Sequence, residues 1–321
     1  LHRVDRRQRQ MCIRDRLKGV AIVFVILEHK HVIVNGGAIG VQLFLVLSGY
    51  GLCKSVASRG LDGYWRRRAV GVLVPYLLFT IVQMVVQATL LGGFTPLQGI
   101  VSIVGLDFGL NIDPCMWYIS FAFYWYAWLW VGMKLFGRSR MAALSFLALG
   151  VVAVIAFGLL GLVWRPGAAA QVYFLSFPIG VLLARYESRM QVLKGRKALV
   201  PLALAAGCVA VLVYSAPSNG AIVNQSVSNL VQSFTWAVLV TVVVVLLADL
   251  LKSSKAMGIM EYVGDRSYAM YLNEGLFMRL DPVLGWTASP VATLLGSFAV
   301  AVVFDKFVSD PAVKWVKGRL L

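Results

Sequence analysis

Apolar runs long enough to cross a bilayer, about 17–25 residues each, recur from one end of this chain to the other. They fall at 17–34, 38–58, 69–91, 116–136, 141–164, 171–186, 198–215, 228–251, 267–283 and 288–309, which predicts about ten transmembrane segments. Hydrocarbon offers no partner to unpaired backbone groups, so these segments should be helices. Their apolar character is continuous, whereas barrel strands alternate. Composition agrees: 60% of the residues are hydrophobic and 14% charged, against about 25% charged in a soluble domain. The expected fold class is all-α and polytopic.

Charge gives the orientation. The net charge is +16, from 30 Lys+Arg against 14 Asp+Glu. With the N-terminus placed in the cytoplasm, the basic residues gather on one side. They are Arg3 to Lys18 in the tail, Lys54 to Arg68, Lys134 to Arg140, Arg185 to Lys197, Lys252 to Arg266, and Lys306 to Arg319. Lys30, Arg165 and Arg279 fall towards the other side. This positive-inside pattern predicts that both termini are cytoplasmic. The basic charge therefore reads as topology, and no nucleic-acid partner is implied. Residues 1–16, "LHRVDRRQRQMCIRDR", read as a basic tail, either appended and non-native or genuine, and are set aside from the fold. Residues 17–310 form the expected transmembrane domain and 311–321 a short basic cytoplasmic tail.

Other signatures are missing. Cys12, Cys53, Cys115 and Cys208 are scattered, with no spacing that suggests a metal site or a disulfide framework. There is no P-loop and no dinucleotide fingerprint. The longest outward connection, near 92–115, reads as a solvated link or as a surface that receives an extracytoplasmic substrate.

One stretch is chemically unusual. "ILEHKHVIVNGG" places Glu28, His29, Lys30 and His31 together at the end of the first span. Counted from Leu17, His29 lies about 18 Å into a hydrocarbon core of about 30 Å. Ionisable groups at such depth face a protein interior or a wet cavity. Lys18 and His29 are eleven residues apart, which puts them on one helix face about 16 Å from each other. Glu28 and His31 point elsewhere, and Lys30 is free to snorkel outward. A long donor could anchor its anionic end near Lys18 and deliver its reactive end to His29. The structural alternative for either histidine is an interhelical hydrogen bond.

The order of motifs resembles the membrane acyltransferase 3 family. "LKGVAIVFVILEH" is similar to its first helix, in which a basic residue precedes an essential His by eleven positions. "GVQLFLVLSGYGL" resembles its second helix, "YWRRRAVGVLVPY" its basic loop before a proline, and "MWYISFAFYWYAW" its aromatic fourth helix. "FPIGVLLAR" and "YVGDRSYAMYL" match later helices, so the resemblance covers nearly the whole chain. It implies an integral O-acyltransferase of the bacterial cytoplasmic (inner) membrane. Such an enzyme moves an acyl group, typically acetyl from acetyl-CoA, onto a hydroxyl of an extracytoplasmic carbohydrate or other surface molecule. Acyl-CoA is then a co-substrate, with no tightly bound cofactor and no metal, and lipids surround the protein.

Carried over residue by residue, His29 is the catalytic base. Lys18 stands where the family has Arg, and keeps a charge without the bidentate fork. Arg66, Arg67 and Arg68 are candidates for the donor's phosphates, although Gly71 replaces the second Arg of the family's pair. Glu274 stands where many members have His. It either orients His29 or closes an interhelical network. Ser48, Tyr50, Trp117, Tyr118 and Tyr271 are expected to line the cavity, with an aromatic belt as the alternative for Trp117 and Tyr118. Ser48 with Gly49 permits close packing or a local break, and Pro75 and Pro178 predict kinks. A proton-coupled transporter or flippase is the competing class, although paired broken helices and repeated halves are not evident.

Overall fold

The computed structural model describes residues 2–33, 36–105, 110–137, 173–190, 199–214, 256–285 and 288–320, with isolated positions between 139 and 152 and between 227 and 243. The described residues contain helices and no strand. In chain order the helices are α1 (His2–His29), α2 (Gly36–Arg59), α3 (Tyr64–Leu90), α4 (Pro96–Val104), α5 (Trp117–Phe136), α6 (Ser176–Met190), α7 (Leu199–Tyr214), α8 (Ala256–Asp265), α9 (Ser267–Leu284) and α10 (Pro290–Arg319). Three of them, α2, α3 and α10, are long and apolar enough to cross a membrane. The spans predicted at 141–164 and 228–251 lie largely outside the described residues.

The first helix differs from its expected bounds at both ends. It begins well before Leu17, because the switch from charged to apolar residues marks a change of surroundings and not the start of a helix. Arg, Gln and Lys are good helix formers. It also stops at His29, and the chain turns through Lys30–Ile33, with His31 in the left-handed region at φ 57.

Glycines set how closely α1, α2, α6 and α8 approach. A Cβ at Gly49 would lie 2.2 Å from the Phe177 carbonyl oxygen, and one at Gly180 would lie 2.0 Å from that of Val46. The Ser48–Gly49 pair therefore serves backbone contact between α2 and α6, and α2 continues unbroken through it. Gly40 packs in the same way on Ala21 of α1, and Gly19 and Gly264 bring α1 against α8. Small residues are the usual means of joining helices in lipid, where burial of apolar surface gives no drive to associate.

Two buried clusters flank the resulting space. One centres on Leu45, Trp125 and Phe177, with the Trp125 and Phe177 rings stacked 5.4 Å apart. The other joins Ile22, Tyr76, Met270 and Leu272 from α1, α3 and α9. Pro75 lacks the N–H that would bond Gly71, and the stretch Ala69–Leu73 just before it is π-helical. Within this stretch the Val72 carbonyl accepts from the Tyr268 hydroxyl at 2.9 Å.

The connection after α3 is exposed over much of its first part and buried where it approaches α5. It contains α4, opened by a Thr95–Gln98 capping box. It then runs through Asn111, Ile112 and Asp113, all buried. The Ile112 N–H donates to Ser102 Oγ at 2.8 Å, and Tyr76 donates to the Ser102 carbonyl. These bonds draw the segment into the protein against α3 and α9.

Candidate functional site

A cavity of about 1350 Å³ runs between the two clusters, walled by α1, α2, α3, α5, α6 and α9. Its lining is divided by charge. Arg14, Lys18, Lys54, Arg59, Arg68 and Arg185 supply six cations, and Glu28, His29 and Glu274 supply the remaining ionisable side chains apart from tyrosines and Cys115. Tyr50, Tyr118, Tyr126, Tyr268 and Tyr271 line the wall with Ser48. An aromatic-walled space of this kind suits a long, partly apolar ligand with one anionic end.

The imidazole of His29 meets the one carboxylate that α9 aims into the cavity. Nδ1 of His29 lies 3.1 Å from Glu274 Oε1 and 3.2 Å from Oε2. Glu274 is 1% exposed, so protein groups and not water surround its carboxylate. Such contact fixes the imidazole: with the proton on Nδ1 donated to Glu274, Nε2 keeps a free lone pair. Of the two roles open to Glu274 in the sequence, the geometry is that of a carboxylate seated on the histidine.

The neighbours of His29 depart from expectation. Lys30 does not snorkel outward. Its side chain is 4% exposed, and Nζ donates to both Asp281 oxygens at 2.6 and 2.8 Å. Glu28 lines the same cavity as His29, and its Oε2 accepts from the backbone N–H groups of Gly37 and Ala38. The helix ends at His29, and the turn that follows brings the start of α2 back to Glu28. Glu28 caps the N-terminus of α2, where N–H groups lack helical partners. His31 is exposed.

A second polar network holds α9 at the level of Glu274. Asp113 is 1% exposed and accepts from Gln83 Nε2 at 2.7 Å and from the Cys115 N–H at 2.9 Å. Gln83 also donates to the Leu272 carbonyl at 3.0 Å. Arg279 places Nη2 3.8 Å from Asp113 and donates through Nη1 to Gln87 at 2.9 Å. Gly275 makes this possible, since a Cβ there would lie 2.3 Å from an Asp113 oxygen. Burial raises the Asp113 carboxyl above its ordinary range, opposed by Arg279 and by the bonds from Cys115 and Gln83. Tyr271 joins the network by donating to the Cys115 carbonyl.

The predicted residues are gathered unevenly. Lys18, His29, Ser48, Tyr50, Trp117, Tyr118, Tyr271 and Glu274 all line the cavity. Trp117 and Tyr118 are cavity walls, and Trp117 stacks on Tyr173 at 5.7 Å. Of the arginine run, Arg68 lines the cavity. Arg66 is exposed, and Arg67 donates to the Asp62 and Gly60 carbonyls of the preceding turn. That turn folds back on Arg67 and draws its guanidinium to the backbone. Lys18 donates to Asp15 at 3.0 Å. Residues set aside with the tail also take part: Arg14 lines the cavity, and Arg16 bonds Glu261 of α8 at 3.1 Å. Sequence reading missed Arg14, Lys54, Arg59, Arg185, Asp113 and Arg279 as site residues. The basic ones had been counted as topology, and Asp113 sits in a connection with no helical period to place it.

Helices fit to cross a membrane, and an ionisable cavity in which a histidine meets a buried carboxylate, define a multi-pass membrane protein built for chemistry or transport. The sequence gives the family. It matches the family model described as an acyltransferase domain over residues 15–305, and the chain belongs to the acyltransferase 3 family. No curated protein and no solved structure matches it.

Proposed function

We propose that the protein transfers an acyl group from acyl-CoA to a hydroxyl of an extracytoplasmic carbohydrate or other surface molecule, in the bacterial cytoplasmic membrane. The observation that carries this reading is one cavity with six cations in its lining and, in the same space, His29 paired with the buried Glu274. About ten spans with both termini cytoplasmic would put the basic part of the lining on the side where CoA is found. The phosphates would bind among Lys18, Arg14, Arg68 and Arg185, as charge-assisted contacts. The pantetheine arm would follow the tyrosine-lined wall and present its thioester near His29. The acceptor would arrive from the opposite side.

The chemistry follows from the pair. Nε2 of His29 takes the proton of the acceptor hydroxyl as its oxygen attacks the thioester carbonyl. The carbon–sulfur bond breaks, and the CoA thiolate receives that proton from the imidazolium. Glu274 stabilises the imidazolium in between. Nearby charges favour this role. Lys30 is matched by Asp281, Arg279 by Asp113, and Glu28 by the start of α2. Glu274 gains its matching positive charge when His29 is protonated. Cys115 is not part of this step: burial, with Asp113 and Glu274 nearby, raises its thiol well above the ordinary range, the opposite of an activated nucleophile.

Purified protein with labelled acetyl-CoA and a carbohydrate acceptor should form an acylated product. Solute uptake into proteoliposomes without acylation would favour the transporter class instead. Lys18→Gln is expected to raise the donor KM about tenfold or more, the loss of a contact worth about 1.5–3 kcal/mol, and Lys18→Arg should preserve or improve it. An unchanged KM in Lys18→Gln would remove Lys18 from donor binding. For topology, a reporter active only outside the cytoplasm should be silent when fused after Leu321 and active near Gly220. The reverse pattern would overturn the orientation.

A further inference from the structure

We propose that His29, Cys115 and Glu274 also form a binding site for a zinc ion, whose occupation blocks acyl transfer. The proposal rests on His29 being the catalytic base, but the site itself is argued from geometry. One liganding atom from each of the three residues lies within 4.8 Å of the others, the one such group among the described residues. Imidazole, thiolate and carboxylate are the donors that zinc takes in proteins. With bonds of about 2.0–2.3 Å, tetrahedral ligands sit about 3.5 Å apart, so a closure of about an ångström completes the set. Hard cations such as magnesium and calcium are disfavoured, because they require oxygen ligands throughout.

A second observation points to a ligand at the same place. Glu274 Oε1 is buried and makes no hydrogen bond, although it lies 3.1 Å from His29 Nδ1. A fully buried carboxylate oxygen without a donor is a costly feature, and a cation among these three residues would satisfy it. All three residues line the cavity, which gives the ion a path in and leaves a fourth position for water. The sequence hides this group, since its members are separated by 86 and 159 residues (115 − 29 and 274 − 115).

Binding is balanced by loss of one proton: the Cys115 S–H bond breaks, a sulfur–zinc bond forms, and the proton leaves to water. His29 then cannot act as the base. If Nε2 binds zinc, its lone pair is used. If Nδ1 binds zinc, Nε2 carries the ring proton. Zinc would thus compete with acyl transfer without touching the donor's phosphate contacts.

The test uses the full-length protein in detergent, with cobalt(II) as a spectroscopic probe and zinc as the inhibitor. Cobalt should give a thiolate-to-metal charge-transfer band in the parent, and Cys115→Ser should lose it while Cys53 and Cys208 remain. Zinc should inhibit acyl transfer reversibly, with recovery on chelation. Cys115→Ser should need on the order of tenfold more zinc for the same fractional inhibition of its own zinc-free rate. An identical cobalt band in Cys115→Ser, or no band in the parent, would overturn the site. Equal zinc sensitivity of the two proteins would overturn the inhibition. The cobalt measurement needs no turnover, so failure of the metal site and failure of the acyltransferase reading are told apart.

Discussion

Replacing His29 with Ala is expected to lower kcat by about 10²–10⁴-fold, the contribution of a positioned general base, with little change in donor KM. The basic residues that would hold the donor do not depend on the imidazole, so donor affinity should survive. The substitution also strips Glu274 of its partner, and breaking a buried pair from one side costs about 3–5 kcal/mol. Stability must therefore be separated from chemistry. His29→Gln keeps a hydrogen-bonding side chain beside Glu274, and the double variant His29→Ala with Glu274→Ala removes both members. All three should elute as folded protein and be inactive, while His31→Ala should keep near-parental turnover because His31 is exposed. Parental turnover in folded His29→Gln would remove His29 from the reaction.

Replacing Glu274 with Gln should lower kcat by about 10²-fold or more, again with donor KM preserved. Size is unchanged and the side chain stays buried, so the fold has little reason to respond. Two effects act together. The charge that would stabilise the imidazolium disappears, and the amide N–H₂ can donate to Nδ1. Donation to Nδ1 would move the ring proton to Nε2, leaving no lone pair for the acceptor hydroxyl. The loss of rate from a wrong tautomer is large where an imidazole is the base. Glu274→Asp shortens the reach but keeps the charge, and should recover part of the rate. If Glu274→Gln turned over like the parent, the carboxylate would be a packing partner of α1 and nothing more.

The two sides of the cavity were unequally legible in the sequence. His29 stood out because an ionisable group within an apolar run needs a reason. Lys18 followed from one helical period. Lys54, Arg59 and Arg185 carry the same charge signal as every other basic loop residue, and nothing in one dimension tells a cavity wall from a topology marker. Trp117 and Tyr118 were ambiguous for a similar reason. Aromatics near the end of a span satisfy a membrane interface and a cavity equally well, and the Tyr173 ring on which Trp117 stacks comes from a segment distant in sequence.

Length and hydropathy alone determined that this chain is helical and belongs in a membrane, because hydrocarbon forbids unpaired backbone and rewards long apolar runs. The order of the motifs alone identified the family, as the match over residues 15–305 shows. Tertiary structure decided what depends on contact between distant segments. It seated Glu274 on His29 across 245 positions, turned Lys30 inward to Asp281, and buried Asp113 against Gly275. It also ended α1 at His29, so that the face predicted by continuing the helix no longer applied to the residues just beyond. These are consequences of helices meeting through glycines at backbone distance, which hydrophobic periodicity does not encode.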